Sequence, residues 1–135
     1  MKNQRRPVIK VTDLVKIYDS RRVLDGVSIE VHPGQTAVIM GGSGCGKSTL
    51  LRSMIGSVIP DEGSIELFGQ NIETIPACEF DDIRKRFGIL FQSGALFNSL
   101  TVGENVSLPM REHTDLDDKT IDIMVTMKLE LVGLR

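Results

Sequence analysis

A glycine-rich loop between two regular elements constrains the fold of this chain more than any other feature. The loop Gly41–Thr49 reads GGSGCGKST and fits the pattern G-x-x-x-x-G-K-[ST]. The apolar run Ala37–Met40 precedes it and predicts a buried parallel strand. The apolar face of a helix is predicted behind the loop, at Leu50, Leu51, Met54, Ile55 and Val58. This order of strand, loop and helix predicts an α/β fold that binds a nucleoside triphosphate.

Each residue type in the loop has a physical role in holding phosphate. Glycine allows positive φ and close approach of the backbone, so we expect the N–H groups of Gly44–Lys47 to converge on the anion. A helix that starts near Lys47 adds its dipole, and the lysine adds a mobile charge. Ser48 offers an oxygen to Mg²⁺, and Thr49 offers a backbone N–H to the α-phosphate. The predicted nucleotide-binding residues of the loop are Gly41, Gly42, Ser43, Gly44, Cys45, Gly46, Lys47, Ser48 and Thr49.

Composition excludes several other classes of protein. The chain has 135 residues, 41% hydrophobic and 25% charged, with a net charge of -2, which is typical of one globular domain. One Tyr, no Trp and the absence of a basic stripe argue against nucleic-acid binding. No apolar run approaches the ~18 residues that cross a bilayer. We therefore expect the chain to stay in the cytosol unless a partner holds it.

The cysteines and histidines carry no metal or disulfide pattern. Cys45 and Cys78 fit neither a disulfide framework nor a zinc spacing, so they are predicted to be free thiols. His32 and His113 have no partner spacing for a metal or a nucleophile. We interpret both histidines as surface residues.

Several short runs are typical of strands. They span Val8 to Ile17, Val27 to Val31 and Ser64 to Leu67, and the last two alternate apolar with polar residues. A second buried strand is predicted over Gly88–Phe91 and ends at Gln92. The sequence therefore predicts antiparallel strands together with two buried strands beside ligand-binding loops.

Helix boundaries are marked by local signals. The helix behind the glycine-rich loop is expected to end around Ser57 to Ile59, with Gly56 in its last turn. Thr101 and Glu104 predict a capping box, and Pro109 should kink or end the helix that follows. The apolar face and the C-terminal cap of a final helix are predicted at Ile121, Val125, Leu129, Val132 and Gly133.

Five segments, in this order, resemble the ATP-binding subunits of ABC transporters. They are Tyr18 before a hairpin, GGSGCGKSTLLR, PDEGSIELFG, the glutamine of GILFQ, and LTVGENV. The stretch FQSGALFNSLTVGENVSLPMREHT is most similar to the ATPases of MCE-type lipid transporters, the Mla-like phospholipid systems of Gram-negative envelopes. The resemblance implies the P-loop NTPase core of an ABC nucleotide-binding domain, with an N-terminal antiparallel β-subdomain and the start of a helical subdomain.

The resemblance also assigns ranges of the chain to parts of the family's domain, and it shows which family motifs this sequence does not contain. Residues 1–34 correspond to the antiparallel β portion, 35–92 to the P-loop core through the Q-loop glutamine, and 93–135 to the Q-loop and the start of the helical subdomain. The LSGGQ-like signature, the strand ending in Asp and Glu, and the switch histidine of the family are not in this sequence. We therefore expect the N-terminal part of a longer subunit, with the C-terminal part missing.

Roles outside the loop come from the same resemblance. Tyr18 would stack on adenine; the alternative is a half-buried aromatic at a strand end. Gln92 would contact Mg²⁺ and the attacking water, with Lys47 as the other catalytic residue; the alternative for Gln92 is a polar residue that caps a strand. Ser93 to Leu100 would contact the membrane-spanning permease subunits, and Arg111 to His113 are interpreted as a solvated helix end.

The resemblance implies an ATPase that energises lipid transport from the cytoplasmic face of the bacterial inner membrane. ATP binding would close it against a second ATPase subunit, a homodimer in the full complex, and hydrolysis would open the pair. One alternative is an ABC ATPase of another importer or exporter, or a soluble ABC protein. Another is a nucleotide-binding fragment without turnover. We expect the 135-residue chain to bind ATP with Mg²⁺ but not to hydrolyse it efficiently.

Overall fold

A computed structural model describes residues 6–92 and 94–134 of the chain. Their contacts divide the chain into two compact units, one ending at Phe87 and the other beginning at Gly88. The division of the chain at residues 34 and 92 stays a prediction. The helices and strands within the described residues are β1 (Ile9–Tyr18), β2 (Arg21–Val31), α1 (Lys47–Met54), β3 (Glu62–Leu67), β4 (Gln70–Asn71), α2 (Ala77–Arg84), α3 (Val102–His113) and α4 (Asp118–Leu131). Among these helices, none has the length and apolar character that a membrane span requires.

The first unit is built on an antiparallel sheet with the strand order β2-β1-β3-β4. The strands predicted over Val8 to Ile17, Val27 to Val31 and Ser64 to Leu67 are confirmed, and β2 begins six residues earlier than predicted, at Arg21. The sheet and the two helices of this unit share one apolar core. Its buried members are Val11, Leu14, Leu24, Leu50, Ile65, Leu67 and Ile83. Burial against the sheet therefore holds α1, and with it the glycine-rich loop at its N-terminus.

A two-residue turn joins β1 to β2. Tyr18 pairs with Arg21 across this hairpin, and Asp19 and Ser20 between them have φ angles of 46° and 67°. Positive φ at both central residues defines a type I′ turn, whose twist matches that of paired strands. The turn fixes Tyr18 as the last residue of β1.

Both predicted buried strands are wrong. Ala37–Met40 and Gly88–Phe91 lie outside every strand of the described residues. Their side chains are largely exposed, with Val38 at 74%, Met40 at 85% and Leu90 at 88%. An apolar run supplies side chains suited to burial, but a parallel strand also needs neighbouring strands to pair with its backbone. Among residues 6–92 and 94–134, no strand pairs with either segment.

Helix α1 ends earlier than predicted, and the cause is a glycine. Gly56 has a φ of 71° and lies outside the helix rather than in its last turn. Its N–H donates to the carbonyl of Ser53 at 2.9 Å, and the N–H of Ser57 donates to the carbonyl of Arg52 at 2.8 Å. These two bonds form a Schellman motif, which closes a helix on a left-handed residue. The predicted end around Ser57 to Ile59 is therefore wrong.

The second unit begins its helices with a capping box, as predicted. Thr101 Oγ1 accepts from the N–H of Glu104 at 3.2 Å, and Glu104 Oε2 accepts from the N–H of Thr101 at 2.7 Å. Pro109 lies inside α3, so the possibility that it ends the helix is wrong. The helix continues because the next residue, Met110, is buried in the core of this unit. The segment Arg111 to His113 is exposed at the helix end, as predicted.

The final helix, α4, confirms most of its predicted apolar face. Ile121 and Val125 are buried, and Leu129 packs against them. Val132 is 70% exposed because it lies just beyond the helix, so its assignment to the apolar face is wrong. Gly133 has a φ of 76° and caps the helix end, as predicted.

Candidate nucleotide-binding site

The glycine-rich loop approaches β2 closely just before α1. Gly44 and Gly46 have φ angles of 76° and 96°, which favour glycine strongly. A Cβ at Gly46 would lie 2.6 Å from the carbonyl oxygen of Val23, so a side chain there would collide with the β2 backbone. A Cβ at Gly41 would lie 2.6 Å from Cys45 Sγ. Both the backbone angles and the available space therefore require glycine at Gly46.

The Lys47 side chain folds back over the loop. Its Nζ donates to the carbonyl oxygens of Gly41 at 2.8 Å and Gly42 at 2.6 Å, and it lies 3.5 Å from Cys45 Sγ. The ammonium is therefore held within the curve of the loop instead of extending into solvent. An anion that binds there can replace these carbonyl oxygens as the hydrogen-bond acceptor.

The N-terminus of α1 lacks a side-chain cap from its own N-cap residue, Gly46, and an acidic residue in its first turn. Helices begin with N–H groups that have no partner inside the helix, and the helix dipole makes this end attractive to anions. Ser48 is exposed and Thr49 is half-buried in this first turn. The arrangement provides donors and positive potential for a phosphate group.

Magnesium fits the oxygen donors of this loop. Among residues 6–92 and 94–134, no group of three or more His, Cys, Asp or Glu side chains could hold a metal ion. Mg²⁺ that is shared with phosphates, however, takes only one or two protein oxygens. An exposed hydroxyl at Ser48 is compatible with that requirement. The two cysteines, Cys45 and Cys78, are free thiols, as predicted, and both are exposed.

Tyr18 belongs to the same unit as the loop. It ends β1 with 43% of its surface exposed, and Lys16 Nζ lies 5.4 Å from the centroid of its ring. Exposure of this extent suits base stacking and also suits an aromatic residue at a strand end, so the role of Tyr18 stays a prediction. Sequence reasoning missed Lys16. Its spacing of two from Tyr18 was the available signal, because residues i and i+2 of a strand share a face.

Gln92 lies in the other unit and is exposed. Its predicted contact with Mg²⁺ and water stays a prediction. Ser93, the first residue of the predicted permease contact, lies outside the described residues. The rest of that segment exposes Leu96 at 68% and Phe97 at 58%. These two apolar side chains are available to a partner.

Asn105 organises this segment from the first turn of α3, and sequence reasoning missed it. Its Nδ2 donates to the carbonyl oxygens of Phe97 at 3.1 Å, Leu100 at 3.2 Å and Thr101 at 2.9 Å. Its Oδ1 accepts from the N–H of Phe97 at 2.9 Å. One side chain therefore defines the shape of the loop that leads into α3.

The comparisons with known proteins agree on the family. The family model described as ABC transporter matches residues 24–133. The intermembrane phospholipid transport system ATP-binding protein MlaF of Haemophilus influenzae is 43% identical over 128 residues, which cover 95% of this chain and 48% of that protein. The probable ribonucleotide transport ATP-binding protein mkl of Mycobacterium leprae is 42% identical over 126 residues, which cover 93% of this chain and 36% of that protein. The chain thus spans less than half the length of these two relatives.

A solved structure shows the same fold. The dimeric, post-hydrolysis state of the ATP-binding cassette MJ0796, bound to ADP and Pi, matches with a TM-score of 0.84 and 26% identity. The match covers 94% of this chain and 58% of that one. These findings confirm the predicted resemblance and the predicted fold class.

Proposed function

Because the chain belongs to the ABC transporter family, we propose that it carries the nucleotide site of an ATP-hydrolysing subunit that energises a transporter. In this proposal, ATP binding closes the subunit against a second copy and hydrolysis of the γ-phosphate lets the pair open. The dimeric state of the MJ0796 cassette supports such pairing. Permease subunits would meet Ser93 to Leu100 and would hold the ATPase at the cytoplasmic face of the bacterial inner membrane.

The geometry of the loop is the observation that carries this proposal. Lys47 Nζ lies 2.6 Å and 2.8 Å from two loop carbonyls, next to a helix N-terminus that no side chain caps. We infer that Lys47 exchanges these carbonyls for oxygens of the β- and γ-phosphates. The exchange is favourable because phosphate oxygens carry negative charge and the loop carbonyls do not, so the ammonium gains a direct Coulomb attraction.

The remaining residues have supporting roles in the proposal. The N–H groups of Gly44–Lys47 would bind the phosphates, Thr49 would bind the α-phosphate, and Tyr18 would stack on the base. Ser48 and Gln92 would hold Mg²⁺, which neutralises charge that develops on the phosphate oxygens. Gln92 would also orient the attacking water.

The cargo is proposed to be phospholipid. The 43% identity to MlaF across 95% of this chain supports this choice. The relative named for ribonucleotide transport is 42% identical, so the cargo needs a direct test. In proteoliposomes that contain the subunit and its permease, ATP should drive transfer of a labelled phospholipid. Transfer of a ribonucleotide and not of the lipid would contradict the proposed cargo.

The nucleotide site itself can be tested on the 135-residue chain. Calorimetric titration with ATP and Mg²⁺ should give saturable binding, and Lys47→Ala should weaken it by about 10- to 150-fold, the loss of a charged hydrogen-bond partner. Lys85→Ala is a matched control, because Lys85 lies in the segment that follows α2 and forms an ion pair with the exposed Asp82, at 2.8 Å. Equal losses in the two variants would contradict the assignment of Lys47. Phosphate release that Lys47→Ala abolishes would contradict the expectation that this chain alone turns over inefficiently.

A further inference from the structure

The ring of Tyr18 lies against a cation held by its own strand. Lys16 and Tyr18 share a face of β1, and Lys16 Nζ lies 5.4 Å from the ring centroid. This distance is within the range of cation–π attraction. The Lys16 side chain is only 15% exposed, whereas Tyr18 is 43% exposed. The cation is therefore largely covered by the protein, whereas a substantial part of the tyrosine surface is open to solvent.

The segment between α1 and β3 holds the Lys16 ammonium in place. Lys16 Nζ donates to the carbonyl oxygen of Ile59 at 2.7 Å and to Asp61 Oδ1 at 3.3 Å. Two acceptors and a ring thus surround one ammonium group. A lysine fixed in this way has lost the freedom that surface lysines usually retain.

Asp61 is itself attached to β1 on both sides of Lys16. Its Oδ2 accepts from the N–H of Ile17 at 2.6 Å, and its own N–H donates to the carbonyl of Val15 at 2.9 Å. The hydrogen bond from Ile17, together with Lys16, lowers the pKa of Asp61, so the carboxylate stays charged at neutral pH. The carboxylate can therefore hold the lysine throughout the physiological pH range.

This cluster connects the two ends of the nucleotide site. Helix α1 starts at Lys47 in the phosphate loop, and the segment after the helix carries Ile59 and Asp61 to β1. The helix supplies the phosphate-binding N-terminus, and the segment that follows it supplies the groups that fix Lys16 beside Tyr18.

We propose that Lys16 is a positioning residue for base binding: it holds the Tyr18 ring in the orientation on which a nucleobase stacks. The inference rests on the proposed nucleotide site. Lys16 occupies one face of the ring, and the base takes the other. Asp61 acts through Lys16, because it fixes the ammonium.

A purely structural role for Lys16 makes a different prediction. If Lys16 only attached the segment after α1 to the sheet, its loss would disturb α1. The binding of every ligand of the glycine-rich loop would then weaken. If Lys16 positions the ring, its loss should affect only ligands that carry a base. Inorganic tripolyphosphate, which has the phosphates and no base, separates these two roles.

The test titrates ATP and tripolyphosphate, each with Mg²⁺, into the 135-residue chain by calorimetry. Lys16→Met should lower the affinity for ATP by about 3- to 10-fold, consistent with the loss of a cation–π contact and of part of the stacking. The affinity for tripolyphosphate should stay within about twofold of the wild-type value. Lys10→Met is the matched control, because Lys10 lies on the same strand and forms an ion pair with Glu66 at 3.8 Å, away from Tyr18. It should change neither affinity.

Two further variants keep the test decisive if Lys16→Met does not fold. Lys16→Arg retains the cation and should retain ATP affinity. In Asp61→Asn, the amide oxygen can still accept a hydrogen bond from the N–H of Ile17, but the side chain no longer carries the charge that holds the ammonium. This variant should therefore lower the affinity for ATP, and not for tripolyphosphate, by a smaller factor than Lys16→Met. Because the chain has one Tyr and no Trp, its intrinsic emission reports Tyr18 directly. That emission should change with ATP in the wild type, and less so in Lys16→Met.

The outcomes distinguish the inference from the proposed function. Equal losses of ATP and tripolyphosphate in Lys16→Met would overturn the positioning role. The positioning role would also be overturned if Lys16→Met left the affinity for ATP unchanged while Tyr18→Ala lowered it. Unchanged ATP affinity in Tyr18→Ala would overturn base stacking together with the inference, and absence of ATP binding by the wild type would overturn the proposed function itself.

Discussion

Helices α1 and α3 both follow an irregular segment, yet their first N–H groups meet opposite surroundings. At α3, Thr101 and Glu104 satisfy these groups and each other through a capping box. At α1, the N-cap is Gly46, without a side chain, and no acidic residue lies in the first turn. The comparison teaches that a helix start can either be completed by its own sequence or be left for an anion. The following experiments alter one start at a time.

The largest effect is expected from Gly46→Ala. The new side chain must take a left-handed backbone and lie 2.6 Å from the carbonyl of Val23. We expect a loss of about 2–5 kcal/mol in the free energy of unfolding, measured by urea denaturation. Gly42→Ala is the control, because a Cβ there meets nothing within 4 Å. Similar losses in both variants would show that the approach to β2 does not matter.

The next effect is expected from removing the α3 cap. Thr101→Ala deletes the acceptor of the Glu104 N–H and should lower the free energy of unfolding of the second unit by about 1 kcal/mol. Amide hydrogen exchange in α3 would report this loss locally. Thr101→Ser keeps the hydroxyl and should preserve protection. If Thr101→Ser exchanged as fast as Thr101→Ala, the cap would not account for the protection.

A smaller effect, with opposite signs for stability and binding, is expected at α1. Thr49→Glu places an acid in the uncapped first turn and should stabilise the helix by about 0.3–1 kcal/mol through its dipole. The same charge should weaken ATP binding, because it repels the phosphates and competes for the N–H groups. Thr49→Gln has the same size without the charge. If Thr49→Glu bound ATP as tightly as Thr49→Gln, the α1 N-terminus would not be the phosphate site.

The smallest effect concerns pH and the exposed Glu104. The hydrogen bonds that it accepts from Thr101, first from the backbone N–H and then from the hydroxyl, lower its pKa from the ordinary 4.5. A carboxyl with a lowered folded pKa stabilises the folded state above the unfolded pKa, and this contribution is lost as pH falls through the folded pKa. The protection of α3 should therefore decline as pH falls below 4.5. In Glu104→Gln this part of the pH dependence should be absent from exchange profiles.

Local signals in the sequence predicted local structure correctly. The capping box at Thr101 and the glycine cap at Gly133 each involve atoms within a few residues, so their residue types define the geometry. The phosphate-binding role of the glycine-rich loop rests on a local motif in the same way and stays a prediction. Gly56 was misplaced because a left-handed glycine just past a helix and a glycine inside its last turn differ by only one or two positions.

Features that depend on distant residues could not be predicted. The strands expected at Ala37–Met40 and Gly88–Phe91 require partner strands, which no local run of apolar residues can reveal. The contact of Lys16 with the carbonyl of Ile59 spans 43 positions in sequence. The hydrogen bonds between Asn105 and Phe97 span an intermediate distance in sequence, eight residues, and belong to no known motif.

The hairpin after Tyr18 limits how many residues can join β1 to β2. The turn has two residues, Asp19 and Ser20, and its type depends on that number. An insertion there requires another turn type or a slip of β1 against β2, and a one-residue slip reverses the face that every side chain occupies. Substitutions at these two positions are limited to residues that accept positive φ, such as Asn, Asp and Gly, whereas insertions and deletions would displace the aromatic ring.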